Sequence, residues 1–312
     1  MPVWDAIGVG LAVRDISVLM DRYPRADEKL RASAFYESGG GPVATALVTL
    51  SRFGRKTAIS AVVGEDPVGE MIIDGLRREG VGTDGVVVRN DFVSPTSVII
   101  VENGRRTILE APRGVGFPLP WEAVRRLPLS HCRALLVDAR CIEVQIRAAR
   151  EARSAGALVV LDCGHPREGV EELLTTTDVA ILSHSYSESA AYEPRSFLYS
   201  LLDKLPHDGP AIVGVTLGEK GCAIASRSEP FTQLAGYRVT AVDTTGAGDV
   251  FHGAFVHALF EGRSAIEAAR FANCAAAAKC TGMTGRASLP SAAELWRLSA
   301  VDAVDENQQP KK

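Results

Sequence analysis

No apolar run in the 312 residues approaches the roughly 18 that a membrane-spanning helix needs; the longest strand-like stretches are short, such as 97–101. Basic charge is not in excess either. Lys and Arg number 34 against 38 Asp and Glu, a formal net charge of −4, which argues against a nucleic-acid partner held by phosphate neutralisation. The N-terminus, Met-Pro-Val-Trp-Asp, lacks the basic and apolar regions of a secretion signal. The dipeptide Gly-Lys never occurs, which removes the P-loop. Six cysteines, at 132, 141, 163, 222, 274 and 280, form no CxxC or CxxH pair and lie mostly in apolar stretches. They read as buried thiols of a reducing, cytoplasmic setting rather than as disulfides or zinc ligands. What remains is an ordinary globular composition, 46% hydrophobic and 23% charged, long enough for one large domain with or without a small accessory one.

Short apolar runs alternate with helical patterns almost throughout. Residues 6–10, 58–63, 134–138, 158–162, 179–182 and 212–216 read as strands buried on both faces of a mostly parallel sheet. Between them, 42–53, 67–79, 143–155, 249–260 and 265–279 carry helical periodicity, with Gly54, Gly80 and Gly156 placed to end three of these helices. The alternation predicts an α/β fold with helices on both sides of a central sheet. Two stretches fit no βα unit. Residues 11–38 hold strand-like pieces near 16–19 and 32–36, and 93–110 reads as a hairpin turning at Glu102-Asn103-Gly104. Such strands predict a small separate sheet, serving as a lid over a cleft or as an interface. The polar tail from about 302 to 312 is expected to fray.

Three glycine-rich stretches bear on function. Gly8-Val9-Gly10-Leu11-Ala12-Val13 half matches GxGxxG, but the third glycine is Val13 and no helix pattern follows, so the dinucleotide context fails. Gly39-Gly40-Gly41-Pro42 runs into an amphipathic helix pattern carrying Val43, Ala46, Leu47, Leu50 and Phe53, an arrangement that serves a plain turn or a close ligand approach equally. The most informative stretch is Asp243-Thr244-Thr245-Gly246-Ala247-Gly248-Asp249-Val250-Phe251-His252-Gly253. A Gly-Ala-Gly turn opening a helix makes the N–H groups of Gly246, Ala247 and Gly248 an anion hole. A carboxylate beside bound phosphate is repulsive unless it faces the acceptor alcohol, so Asp249 reads as a general base that the helix dipole keeps ionised. Asp15 is a candidate clamp for sugar hydroxyls, and His252 reads as structural.

These motifs resemble the ribokinase family, also called the phosphofructokinase-B family of carbohydrate kinases. Residues 243–255, DTTGAGDVFHGAF, match its C-terminal signature; Gly39-Gly40 before a helix resembles its first signature. Residues 63–69 resemble its VGxDxxG element, 215–221 its VTxGxxG nucleotide turn, and 270–277 the helix beside the adenine. The likeness spans about residues 5–300. It implies one ribokinase-like domain over 1–312, with a mostly parallel α/β core and a small β lid from 11–38 and 93–110. It further implies ATP and Mg²⁺ as cofactors, a sugar substrate, and no nucleic-acid or membrane partner. By resemblance Asp249 is the catalytic base, and Asp15, Gly40 and Gly41 hold the sugar. Thr216, Gly218, Gly221 and Asn273 line the nucleotide site. Asp243 and Thr245 begin a monovalent-cation (K⁺) loop that a strand at 280–285 completes. A homodimer through exposed lid strands is a further expectation.

Two departures qualify the likeness. The common GGKGAN form here is Gly-Gly-Gly-Pro-Val-Ala, with Ala44 where a sugar-binding Asn stands, which weakens a ribose assignment. The NxxE element tied to Mg²⁺ is absent in that form near Ser183-His184-Ser185-Tyr186, so no Mg²⁺ ligand is named. The GGGPVATA variant, Glu28-Lys29, Asp138-Ala139-Arg140 and Ala278-Lys279-Cys280-Thr281 resemble the sulfofructose kinase branch. That branch implies Lys29 and Arg140 as grips for a sulfonate, and Glu110, standing at a lid position, is expected to oppose one. The expectation is therefore an ATP-dependent kinase acting on a primary hydroxyl of a sugar. An anionic ketose such as 6-deoxy-6-sulfofructose, giving the 1-phosphate, stands beside a neutral sugar, a sugar acid, or a catalytically silent sensor on the same fold.

Overall fold

The computed structural model describes residues 3–111, 117–189, 193–287 and 289–306. The chain opens with β1 (Trp4–Val9), β2 (Val13–Met20), β3 (Ala34–Gly40), α1 (Pro42–Arg52), β4 (Thr57–Gly64), α2 (Pro67–Arg78) and β5 (Val81–Arg89). The hairpin β6 (Thr96–Glu102) and β7 (Arg105–Glu110) follows, then α3 (Trp121–Val124), β8 (Cys132–Val137), α4 (Ile142–Ser154), β9 (Leu158–Cys163), α5 (Val170–Leu174) and β10 (Val179–Ser183). The C-terminal part holds α6 (His184–Ser189), α7 (Pro194–Leu202), β11 (Ile212–Thr216), β12 (Cys222–Ser226), β13 (Thr232–Leu234), α8 (Ala247–Phe260), α9 (Ala265–Cys280) and α10 (Ala292–Glu306).

Nine strands form the main sheet in the order β13-β12-β11-β10-β9-β8-β1-β4-β5, parallel from β11 to β5, with β12 and β13 antiparallel at one edge. Alternate residues of each strand enter different layers. Ala6 and Ile59 pack with Leu47 of α1, Phe255 of α8 and Phe271 of α9, whereas Ile7 and Val62 pack with the opposite layer, which holds Ile146 of α4 and Leu198 of α7. The predicted strands and helices therefore belong to this three-layer core. Sequence reading missed β5, β12 and β13. β5 carries glycine where a side chain would strike its neighbour: a Cβ on Gly82 would lie 2.7 Å from the Trp4 ring, so packing weakens its strand pattern.

The two unplaced stretches form a second sheet, β3-β2-β6-β7, in which β2 pairs parallel with β6 and both outer pairs are antiparallel. Asn103 (φ 50°) and Gly104 (φ 75°) make the expected hairpin turn. The tail expectation is corrected: α10 continues to Glu306, and 307–312 lie outside the described residues. Residues 280–285 also differ from expectation. Cys280 ends α9, and 281–285 form turns rather than a strand.

Candidate active site

In parallel α/β sheets the carboxyl ends of the strands border the ligand crevice. Here that edge carries Gly10 after β1, Asp138 after β8, Asp162 near the end of β9 and Thr216 closing β11. The first turn of α8 belongs to the same region. Gly246 caps it in the left-handed conformation (φ 72°), and a Cβ there would lie 2.6 Å from the Gly285 carbonyl oxygen, so only glycine fits. A Cβ on Gly248 would meet nothing within 4 Å, so this turn opens onto free space. The Ala247 N–H makes a long bond of 3.3 Å to the Thr244 carbonyl; those of Gly246, Gly248 and Asp249 have no backbone acceptor among the described residues. In the turn that the sequence reading took for an anion hole, the N–H groups of Gly246, Gly248 and Asp249 are thus without a backbone acceptor among the described residues, and that of Ala247 is partly engaged.

Burial raises the Asp249 carboxyl above its ordinary value. His252, Arg106 and Arg286 pull it down, and Asp138 adds to the rise. Burial and the helix dipole thus act on this carboxyl in opposite directions. A raised carboxyl is also closer to what proton abstraction near neutral pH requires. His252 is buried and spans two elements. Its Nδ1 lies 2.8 Å from the Gly248 carbonyl and 3.4 Å from Asp162, and its Nε2 lies 3.0 Å from the Ile181 carbonyl. The ring thus bridges the first turn of α8 and β10.

The small sheet presents a polar row across its strands. Ser38 pairs with Asp15, Asp15 with Ser97, and Ser97 with Glu110, so all four side chains share one face. Asp15 is 6% exposed, and burial pushes its carboxyl up to about 7. Arg286 and the Ser97 hydroxyl oppose the rise, while Asp249 and Asp243 reinforce it. A Cβ on Gly40 would lie 2.0 Å from Asp15 Oδ2, and one on Gly41 (φ 95°) 2.3 Å from the Leu11 carbonyl oxygen. These glycines let the Asp15 carboxyl and the start of α1 approach closely. Ala44 lies in the core with no exposure, so nothing replaces the absent Asn.

Arg286, which sequence reading missed, reaches into this region. Its Nη2 donates to the Gly40 carbonyl at 3.0 Å and its Nε to Thr45 Oγ1 at 3.4 Å. Burial brings it down to about 10, against the pull of Asp15. Arg106 on β7 was also unassigned. It donates to Thr244 Oγ1 at 3.1 Å, and Gly104 bridges to Asp243, so the hairpin rests on the loop that opens α8. The signal for both was thin, because a lone arginine among 34 basic residues has no local pattern.

Among the residues that the sequence reading assigned to a nucleotide site, Thr216 ends β11 and the 217–221 turn closes with a 2.7 Å bond from the Leu217 N–H to the Gly221 carbonyl. Gly218 faces open space, and a Cβ on Gly221 would lie 2.1 Å from the Leu234 carbonyl oxygen. Asn273 on α9 is buried and donates to the Ala235 carbonyl at 3.2 Å, bracing the segment beside that turn.

Lys29 and Arg140 are placed differently from each other. Lys29 is exposed between β2 and β3 and makes no ion pair among the described residues. Arg140 pairs with Glu110 through bonds of 3.1 and 3.4 Å, so the carboxylate expected to oppose an anion is in fact the counter-ion of Arg140. Asp243 is fully buried, its carboxylate accepting from the N–H of Thr245 (2.8 Å) and Thr284 (2.9 Å). Its carbonyl takes a 2.6 Å bond from the buried Lys279 ammonium. Among the described residues, no cluster of three His, Cys, Asp or Glu side chains has metal-binding geometry, and no helix is long and apolar enough to cross a membrane.

Comparison with known proteins agrees with this geometry. The chain is 28% identical over 279 residues to a ribokinase of Haemophilus influenzae, covering 87% of this chain and 90% of that one. It is 30% identical over 305 residues to a ribokinase of Arabidopsis thaliana, covering 91% and 77%. The solved ribokinase of Giardia lamblia superposes with a TM-score of 0.84 at 20% identity, covering 96% of this chain and all of that one. Residues 6–292 match the pfkB family carbohydrate kinase profile, and the chain belongs to that family of ATP-dependent sugar kinases.

Proposed function

We propose that this kinase transfers the γ-phosphoryl group of ATP to a primary hydroxyl of a sugar seated between the Ser38–Asp15–Ser97 row and the first turn of α8. The observation carrying this reading is that Asp15 and the turn opening α8 meet at Gly285, where a Cβ would lie 3.8 Å from Asp15 Oδ2 and 3.8 Å from Gly246 Cα, while the N–H groups of residues 246, 248 and 249 have no backbone acceptor among the described residues. Asp249 takes the hydroxyl proton as the oxygen attacks the γ-phosphorus, and ADP leaves. The N–H groups of residues 246, 248 and 249 take up negative charge on the transferring group, with Arg106 beside them. Thr216, Gly218, Gly221 and Asn273 frame the nucleotide. Mg²⁺ supplies charge neutralisation on the phosphates. Asp162, whose carboxyl burial pushes up to about 6 and which lies in electrostatic reach of Asp249, is the residue that would hold it through water.

The sugar is read as hydroxyl-rich at the Asp15 end. A second reading, an anionic ketose such as 6-deoxy-6-sulfofructose, draws support from Arg167. Arg167 is exposed, but partial desolvation and the Arg140 guanidinium within electrostatic reach hold it below its ordinary value, so a second cation stands near Arg140. Association of two copies through the small sheet draws support from Phe35 and Leu109, both more than half exposed on its edge strands.

The test is ADP release with Mg-ATP over sulfofructose, fructose, ribose, 2-keto-3-deoxygluconate and adenosine, each repeated with Asp249→Asn. Turnover of one sugar, lowered about a thousandfold in kcat with sugar affinity little changed, supports the base assignment. A variant within about tenfold of the parent refutes it. No turnover with any of them favours the silent sensor.

A further inference from the structure

The family resemblance implies a K⁺ loop begun by Asp243 and Thr245. The structure puts a protein cation at that loop instead. Lys279, in the last turn of α9, has no exposed surface, and its Nζ lies 2.6 Å from the Asp243 carbonyl oxygen. A lysine is almost never fully buried unless it is paired. Burial brings the Lys279 ammonium below its ordinary value, with Arg106 adding to the fall and Asp243, Cys280 and Asp249 opposing it, so the short bond to the Asp243 carbonyl is what holds the group there. The loop is otherwise closed. Cys280 accepts from the Val242 N–H at 2.8 Å, Asp243 binds the Thr245 and Thr284 N–H groups, and Gly246 packs on Gly285. One buried oxygen there, Thr245 Oγ1, lacks a partner among the described residues. One hydroxyl is far from the shell of carbonyl oxygens that replaces a K⁺ hydration sphere. A second cation beside the ammonium would also be repelled.

We infer that the Lys279 ammonium is this loop's built-in monovalent cation, so that nucleotide binding and phosphoryl transfer need no K⁺. By fixing the Asp243 carbonyl, it holds that peptide with its oxygen inward, and the Asp243 carboxylate then fixes the next N–H, that of Thr245. The turn that follows keeps its free N–H groups toward the cleft without help from a solution ion. Lys279 is a positioning residue, acting on phosphate through residues 243–246. The inference rests on the anion-hole reading above.

The experiment compares the full-length protein in KCl and in matched tetramethylammonium chloride, reading Mg-ATP affinity by calorimetry and the apparent Tm of the nucleotide-free protein. The parent is expected to show affinities within about twofold and the same Tm in both salts. Lys279→Ala leaves a cavity and an unbound carbonyl. It is expected to lose about tenfold or more in affinity in tetramethylammonium chloride, and KCl or methylammonium chloride should restore the affinity and raise its Tm. Lys279→Met fills the volume without charge and should lose affinity that no cation restores. A parent whose affinity or Tm rises with KCl overturns the inference, as does Lys279→Ala binding Mg-ATP like the parent without K⁺. Should Lys279→Ala not fold, the parent's salt comparison and Lys279→Met still decide. A parent that binds no Mg-ATP in either salt refutes the anion hole instead, and the Tm comparison continues to read Lys279.

Discussion

Asp15 offers the sharpest quantitative test of the cleft. Its carboxyl is almost wholly buried and stands at about 7 instead of 3.8, because desolvation exceeds the help from Arg286 and Ser97. A carboxyl raised on folding binds its proton more tightly in the native state than in the unfolded one. Native stability therefore falls as pH rises from about 4 to about 7, and levels off above that. From pH 5 to pH 8 the native group passes through about two pK units of this penalty, at about 1.4 kcal/mol each, or about 3 kcal/mol. Asp15→Asn removes the titration while keeping shape. Terms that do not depend on pH, including the loss of a partner for Arg286, cancel when the variant is compared with the parent at two pH values. The Tm of Asp15→Asn relative to the parent should therefore be higher at pH 8 than at pH 5, by about 4–8 °C for a domain of this size. Thermal unfolding of the two proteins at pH 5, 6, 7 and 8 measures this directly. A Tm difference that stays constant across that range would refute the buried, proton-binding Asp15. So would one that shrinks as pH rises.

Two further outcomes follow from the site. His252→Leu leaves the Gly248 and Ile181 carbonyls without the ring nitrogens, so it should cost about 1–3 kcal/mol of stability and lower kcat more than it raises sugar KM; denaturant unfolding and steady-state kinetics check this, and an unchanged kcat sinks the bridging role. Glu110→Gln releases Arg140 from its counter-ion. Because the Glu110 side chain is 45% exposed, the pair contributes at most about 1 kcal/mol to stability. The variant should lower KM severalfold for an anionic ketose and leave a neutral sugar unchanged, so equal KM values for both variants with sulfofructose would argue against the anionic reading.

Much of the main sheet could be read from the chain because burial on both faces leaves continuous apolar runs. β4 (Thr57–Gly64) is the clear case, with every residue buried. β12, Cys-Ala-Ile-Ala-Ser, is equally buried yet escaped notice, since its small residues give it little hydrophobic contrast. The helix starts were legible where their chemistry is local. Asp66 caps α2 by accepting the Gly69 N–H at 2.7 Å while its other oxygen takes the Ser94 N–H, which accounts for the Gly-x-Asp-x-x-Gly spacing of that stretch. Gly54, Gly80 and Gly156 all adopt positive φ where the helices end.

The site divides along the same line. Asp249 and its glycines could be singled out as candidates because they sit in one short pattern whose spacing suggests chemistry, whereas Asp15 stood in no pattern of its own. The partners that tune these residues could not be, because they come from distant parts of the chain. Arg286 reaches Gly40 across 246 positions, and Arg106 reaches Thr244 across 138. The opposition expected between Glu110 and an anion at Arg140 had the same origin: sequence shows two charges but not that a strand end and a lid strand bring them to 3.1 Å. The sequence also left open whether the small sheet is a lid or an interface. Its hairpin turn bridges from Gly104 to Asp243, and the Asp243 carbonyl is held by Lys279. A displacement of β6 and β7 must therefore strain or break contacts to the loop that opens α8, which couples the Ser38–Asp15–Ser97 row to the first turn of α8. That coupling is a property of which backbones meet, and no spacing within either segment encodes it.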